Sequence, residues 1–194
     1  MPSKYHDIFE EGRYYHIFNR TINNELLFLN DENYKFFLSQ WNKYFDGFLS
    51  IFAYSLMPTH FHIFAHVEKI DVPDPNKVLE EKCKRFFSSY TLSFNNQNRR
   101  KGSLFQKRFK RILVDRDDYF TKIIHYIHNN PIHHGISDAY GKWKYSSYNA
   151  IVSNNRTKIH REEVLDWFGG KENFILFHQQ NIDFNRVEKY ALED

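Results

Sequence analysis

The sequence predicts an α+β fold: a four-stranded antiparallel sheet with two helices on one face. Runs of strand periodicity and runs of helix periodicity follow one another in the order β-α-β-β-α-β. The two middle strands are joined only by Pro58-Thr59, a tight connection between them. Aromatic residues make up 19% of the chain, with 20 Phe and 13 Tyr against 7 Gly and 5 Pro, enough to fill the core of one 194-residue domain.

Each element has its own signal. "RYYHIFNRT" (13–21) alternates and is rich in β-formers. In "NDENYKFFLSQWNKYFDGF" (30–48), Asn30 can cap a helix whose apolar face is Tyr34, Phe37, Leu38, Trp41 and Phe45. "FLSIFAYSLM" (48–57) and "HFHIFAHVE" (60–68) are strands. "DVPDPN" (71–76) is a turn-rich link to a helix over roughly 76–95. "LFQKRFKRILVD" (104–115) is the fourth strand. This order is the ferredoxin-like arrangement.

One sheet face then needs cover, and "DRDDYFTKIIHYIHNNP" supplies it: a helix capped by Asp115, stopping before Pro131, with Phe120, Ile123, Ile124 and Ile127 as its apolar stripe. Tyr119, Tyr126 and Asn130 line one flank of that stripe, so Tyr126 and Asn130 are expected half in and half out of the contact. Residues 135–151 read as an aromatic turn-and-helix segment, and 161–180 contain a short amphipathic helix ending at Gly169-Gly170. The expected organisation is a main domain over 1–150 and a C-terminal helical extension over 151–194 packed on it.

Composition narrows the function. The lone cysteine, Cys83, excludes a disulfide framework and a cysteine zinc site, and suits a reducing cytoplasm. The first residues lack an apolar signal core, and no run reaches the ~18 apolar residues of a membrane span. A soluble cytoplasmic protein is therefore expected, with no membrane partner. Net charge is +3, but residues 82–114 hold ten Lys/Arg and no Asp or Glu, while the rest carries 17 basic against 24 acidic residues. A basic block interleaved with Phe86, Phe87, Tyr90, Phe94, Phe105 and Phe109 points to a polyanion, nucleic acid above all. Its candidate contacts are Arg99, Arg100, Lys101, Lys107, Arg108, Lys110 and Arg111.

Histidines carry the most specific signal. His60 and His62, at i and i+2 on one strand, share a face, and Phe61, Ile63 and Ala65 take the other. Two imidazoles aimed at one spot could hold a metal, crowd each other, or do neither. His66 shares their face but lies ~13 Å beyond His62, too far to join one ion.

The stretches "YYHIFNR", "YSLMPTHFHIFAHV", "GSLFQKRFKRILV", "YIHNNPIHHGI" and "WKYSSY", over roughly residues 12–150, resemble the HUH single-tyrosine transposases of insertion sequences, especially their REP-associated relatives. The resemblance implies a metal-binding pair in His60 and His62, a nucleophile in Tyr126, and a third ligand at Asn130, where relatives often have glutamine. It further implies Mg²⁺ or Mn²⁺ as cofactor, single-stranded or hairpin DNA as substrate, and cleavage and rejoining through a covalent 5′-phosphotyrosine. The residue types suit that chemistry. A tyrosine ester conserves the energy of the broken phosphodiester. A cation on two imidazoles and an amide keeps open positions for phosphate oxygens. A non-catalytic hairpin binder on the same fold and a water-activating metallohydrolase are the competing readings. Exposed strand edges are compatible with a homodimer.

Overall fold

The structure, a computed structural model, describes residues 5–116 and 119–180. Strands β1 (Tyr14–Arg20), β2 (Leu49–Leu56), β3 (His60–Val67) and β4 (Lys110–Val114) form one antiparallel sheet in the order β2-β3-β1-β4. Helices α1 (Asp31–Phe45) and α2 (Pro75–Gln97) are the two crossovers. This is the ferredoxin-like order that the alternating pattern predicts.

Both crossover helices begin where their caps dictate. The Asn30 side chain accepts from the Asn33 amide at 3.1 Å, and that of Asp74 from the Lys77 amide at 2.9 Å, with Pro75 in the first helical position. Phe37, Trp41 and Phe45 of α1 and Phe86 and Tyr90 of α2 pack on Tyr15, Ile17, Phe61, Ile63 and Ala65. That layer claims one sheet face and leaves the even-numbered residues of β1 and β3 on the other.

The second face is covered by α3 (Phe120–His133), α4 (Tyr148–Val152), α5 (Arg161–Phe168) and α6 (Lys171–His178). Phe120, Ile123, Ile124 and Ile127 form the predicted stripe and meet Phe18, Phe64, Ile112 and Val114 of the sheet, with Val164, Phe168 and Phe174 closing the cluster. Gly169, at φ 72°, ends α5 in the left-handed conformation that a side chain disfavours.

Buried histidines fasten the outer helices to α3. His128 Nδ1 lies 2.9 Å from His178 Nε2, and His128 Nε2 lies 2.7 Å from Ser147 Oγ. His178 Nδ1 donates to the Phe174 carbonyl at 2.8 Å, and His125 Nε2 lies 3.1 Å from Tyr140 Oη. Burial pushes His125 down to about 4 and His178 to about 3, so both are neutral at pH 7.

Three boundaries differ from the sequence expectation. The fourth strand is shorter than 104–115, because the consecutive Leu104 and Phe105 are both buried in the helix-layer core, which an alternating strand forbids, and Arg108 sits at φ 63°. Helix α3 follows Tyr119, and Asp117 and Asp118, whose amides an Asp115 cap would serve, lie outside the described residues. It also runs through Pro131 instead of stopping before it. Pro131 costs only one donor close to the helix end, and its own carbonyl accepts from Ile136 and Ser137 at 2.8 and 3.0 Å. A separate α6 follows the glycine pair, and the part of the C-terminal extension beyond residue 180 is outside the described residues.

Candidate active site

The antiparallel register aligns the even-numbered residues of the sheet into rows beneath α3. Phe18 of β1 pairs with His62 of β3 on one side and Lys110 of β4 on the other, and Arg20 pairs with His60. The rings of His60 and His62 stand 5.3 Å apart and perpendicular. His62 Nδ1 lies 2.9 Å from Nε2 of His16, and His60 Nδ1 lies 3.0 Å from the Thr59 hydroxyl. In each ring the nitrogen outside that bond is Nε2, and both Nε2 atoms are shielded from solvent.

Helix α3 lays a second stripe across these rings. The Tyr126 ring meets His62 edge-on at 5.6 Å and 87°, and His16 at 5.9 Å and 80°. His134, two turns on, meets the His60 ring at 5.0 Å. Asn130 follows Tyr126 at the four-residue spacing of one helix face. Its Nδ2 donates to the Tyr126 carbonyl at 2.9 Å, and its buried Oδ1 accepts no hydrogen bond.

Tyr126 and Asn130 are more enclosed than the expected edge position, at 9% and 2% exposure. Flat imidazole rings let the helix settle closely on the sheet there. His66 pairs with Glu68 at 3.2 Å and packs on Tyr14, and Tyr119 sits at the far end of α3 with the Lys122 ammonium 4.8 Å above its ring.

A buried amide oxygen with no partner is costly unless something occupies it. Imidazole nitrogens and an amide oxygen are neutral donor types that a divalent cation accepts. Among the described residues no group of three or more His, Cys, Asp or Glu is arranged to hold a metal, so any ion here would rest on the amide as well as the imidazoles.

The basic residues separate into two groups. Arg99, Lys101, Lys107 and Arg108 are exposed, and Lys110 is half-buried on the histidine face, its ammonium 5.6 Å from the Phe18 ring. Lys107 and Arg108, with Lys84 and Asn95, line an open groove of about 1140 Å³ between α2 and the loop before β4. Arg100 and Arg111 depart from the sequence expectation. Arg100 binds Glu25 at 2.5 Å and the carbonyls of Gly102 and Ser103. Arg111, 5% exposed, is held by the Asp7 carbonyl and by Glu80 at 2.6 Å. Both guanidiniums hold the fold together, because carboxylates from distant segments reach a stretch that has none of its own.

Sequence reasoning passed over His16 and Arg20. The signal was present in "YYHIFNR", where His16, Phe18 and Arg20 alternate onto one face as His60 and His62 do.

The domain is thus a ferredoxin-like sheet with paired histidines on a central strand, roofed by a tyrosine-bearing helix. The chain is similar in sequence and fold to proteins named as REP-associated tyrosine transposases. A curated Haemophilus influenzae protein named "Putative REP-associated tyrosine transposase" is 25% identical over 130 residues, which cover 62% of this chain and 67% of that protein. Among solved structures, a REP-associated tyrosine transposase bound to a REP hairpin matches with a TM-score of 0.61 at 18% identity, over 78% of this chain and 86% of that one. No protein-family model matches the chain.

Proposed function

We propose that this protein is a DNA transposase that cleaves and rejoins single-stranded, hairpin-containing DNA, with Tyr126 as nucleophile and a divalent cation, Mg²⁺ or Mn²⁺, as cofactor. The observation that carries the reading is the seating of Tyr126 against His62, with Asn130 one turn on and its buried amide oxygen accepting no hydrogen bond. The names of the curated relative and of the hairpin-bound structural neighbour support it.

His60 and His62, through Nε2, and Asn130, through Oδ1, are the residues that would hold the ion. When bound, the ion supplies positive charge and polarises a non-bridging phosphate oxygen. Tyr126 Oη attacks the phosphorus and gives up its proton, forming the Tyr126 O–P bond. The bond to the leaving 3′-oxygen breaks, and that oxygen takes a proton to become a free hydroxyl. Rejoining is the reverse attack by a 3′-hydroxyl on the phosphotyrosine. Arg20 and Lys110, flanking the histidine row, hold the strand near the reacting phosphate, and Lys107 and Arg108 bind the duplex backbone along the groove.

The test is a denaturing gel of the full chain with Mn²⁺ and a labelled hairpin from its own genomic neighbourhood. A covalent protein–DNA band is expected, absent with Tyr126→Phe and absent with chelator. A Tyr126→Phe protein that cleaves as well as the wild type would instead indicate water as nucleophile. Tight binding with no adduct under any metal would indicate a hairpin binder.

A further inference from the structure

We propose that His16 is a positioning residue that holds His62 in the one tautomer able to ligate a metal and seats the Tyr126 ring against it; this rests on the metal-dependent reading above. His16 is wholly buried on β1, diagonally across from His62 on β3. Its Nε2 lies 2.9 Å from His62 Nδ1, the two rings are within 20° of parallel, and Tyr126 rests edge-on against both.

A neutral imidazole carries one proton, on one nitrogen. For His62 to ligate through Nε2, its proton must sit on Nδ1, and Nδ1–H then donates to the Nε2 lone pair of His16. His16 in turn must carry its own proton on Nδ1. The opposite direction, His16 Nε2–H donating to His62 Nδ1, would put the His62 proton on Nε2 and abolish ligation. A ligating histidine is commonly oriented by an acceptor on its second nitrogen, most often a carboxylate or a backbone carbonyl. Here the acceptor is a second, uncharged imidazole. Two histidines, an amide and a neutral acceptor leave the full +2 charge of the ion for the phosphate, which a carboxylate behind His62 would partly cancel.

The test has two arms on the full chain. Long-range ¹⁵N–¹H correlation spectra of the metal-free wild type are expected to show His62 protonated on Nδ1, and a spectrum with the proton on Nε2 overturns the proposal. Mn²⁺ affinity, read by electron paramagnetic resonance of the free ion, is expected to fall 10- to 100-fold in His16→Phe. In His16→Gln, whose side-chain oxygen can accept from Nδ1–H, most of it is expected to return. Unchanged affinity in His16→Phe overturns the proposal. If His62→Ala binds Mn²⁺ as tightly as the wild type, the metal reading fails on its own, and the tautomer spectrum still decides whether His16 sets the His62 proton.

Discussion

Tyr126 and Asn130 are tied to each other: the amide of Asn130 reaches back one turn and donates to the Tyr126 carbonyl at 2.9 Å. That bond orients the amide, since the nitrogen is spent on the helix and the oxygen faces away from it.

Asn130→Ala is therefore expected to weaken Mn²⁺ binding by about tenfold or more. Asn130→Asp should separate two effects. It replaces the donor to the Tyr126 carbonyl with a buried carboxylate, so the metal-free protein should lose roughly 1–3 kcal/mol in urea unfolding. The same charge should tighten Mn²⁺ binding above that of the wild type. Equal Mn²⁺ affinity in all three proteins would remove Asn130 from the ligand set.

Lys107 and Arg108 are exposed along one groove, so charge removal there should act through phosphate contacts alone. The double substitution Lys107→Ala, Arg108→Ala is expected to lower hairpin affinity and to reduce the slope of log K against log salt by about 1–2. Fluorescence anisotropy at several salt concentrations measures both, and an unchanged slope would place the DNA elsewhere.

Arg111 should behave differently although it neighbours them in sequence. Its guanidinium stacks 4.7 Å from the Phe9 ring and pairs with Glu80, whose side chain is 37% exposed. Arg111→Met is expected to cost about 1–3 kcal/mol of stability. The salt slope of DNA binding should stay as in the wild type. A stable variant with a reduced slope would restore Arg111 as a phosphate contact.

The buried histidines behind α3 make stability depend on acid. His125 and His178 are lowered by burial to about 4 and about 3, against about 6.5 in the unfolded chain. The unfolded state thus binds more protons below pH 6.5, so stability is complete above about pH 7 and is lost as pH falls toward the folded values. Each histidine should contribute a loss of roughly 2 kcal/mol between pH 7 and pH 5. His178→Gln, which keeps a polar partner for His128 and has no proton to gain, should lose less over that interval by about the same amount. Parallel urea profiles for the two proteins would show that His178 is not part of the acid response.

The elements and faces of this domain were legible because they depend on neighbours in the chain. Strand alternation assigned His60 and His62 to one face and Phe61, Ile63 and Ala65 to the other, which the core bears out. Helical spacing placed the isoleucine stripe of α3 on the sheet, and Asn30 marked the start of α1. Where local signals misled, contacts from far along the chain had overridden them. Leu104 and Phe105 looked like strand residues until both were drawn into the helix-layer core, and Pro131 looked like a stop until burial of the helix around it made one lost hydrogen bond tolerable.

What the sequence by itself determined is the alternation and spacing that put two imidazoles on one strand face and a phenol and an amide one turn apart on a helix. Only the tertiary structure decided that His16, 46 residues from His62, stands behind it, that Glu25 and Glu80 neutralise Arg100 and Arg111, and that Tyr126 is enclosed at the imidazoles. A hydrogen bond or ion pair requires two groups within about 3 Å. For residues dozens of positions apart, that distance is set by strand register and helix packing, which no local pattern encodes.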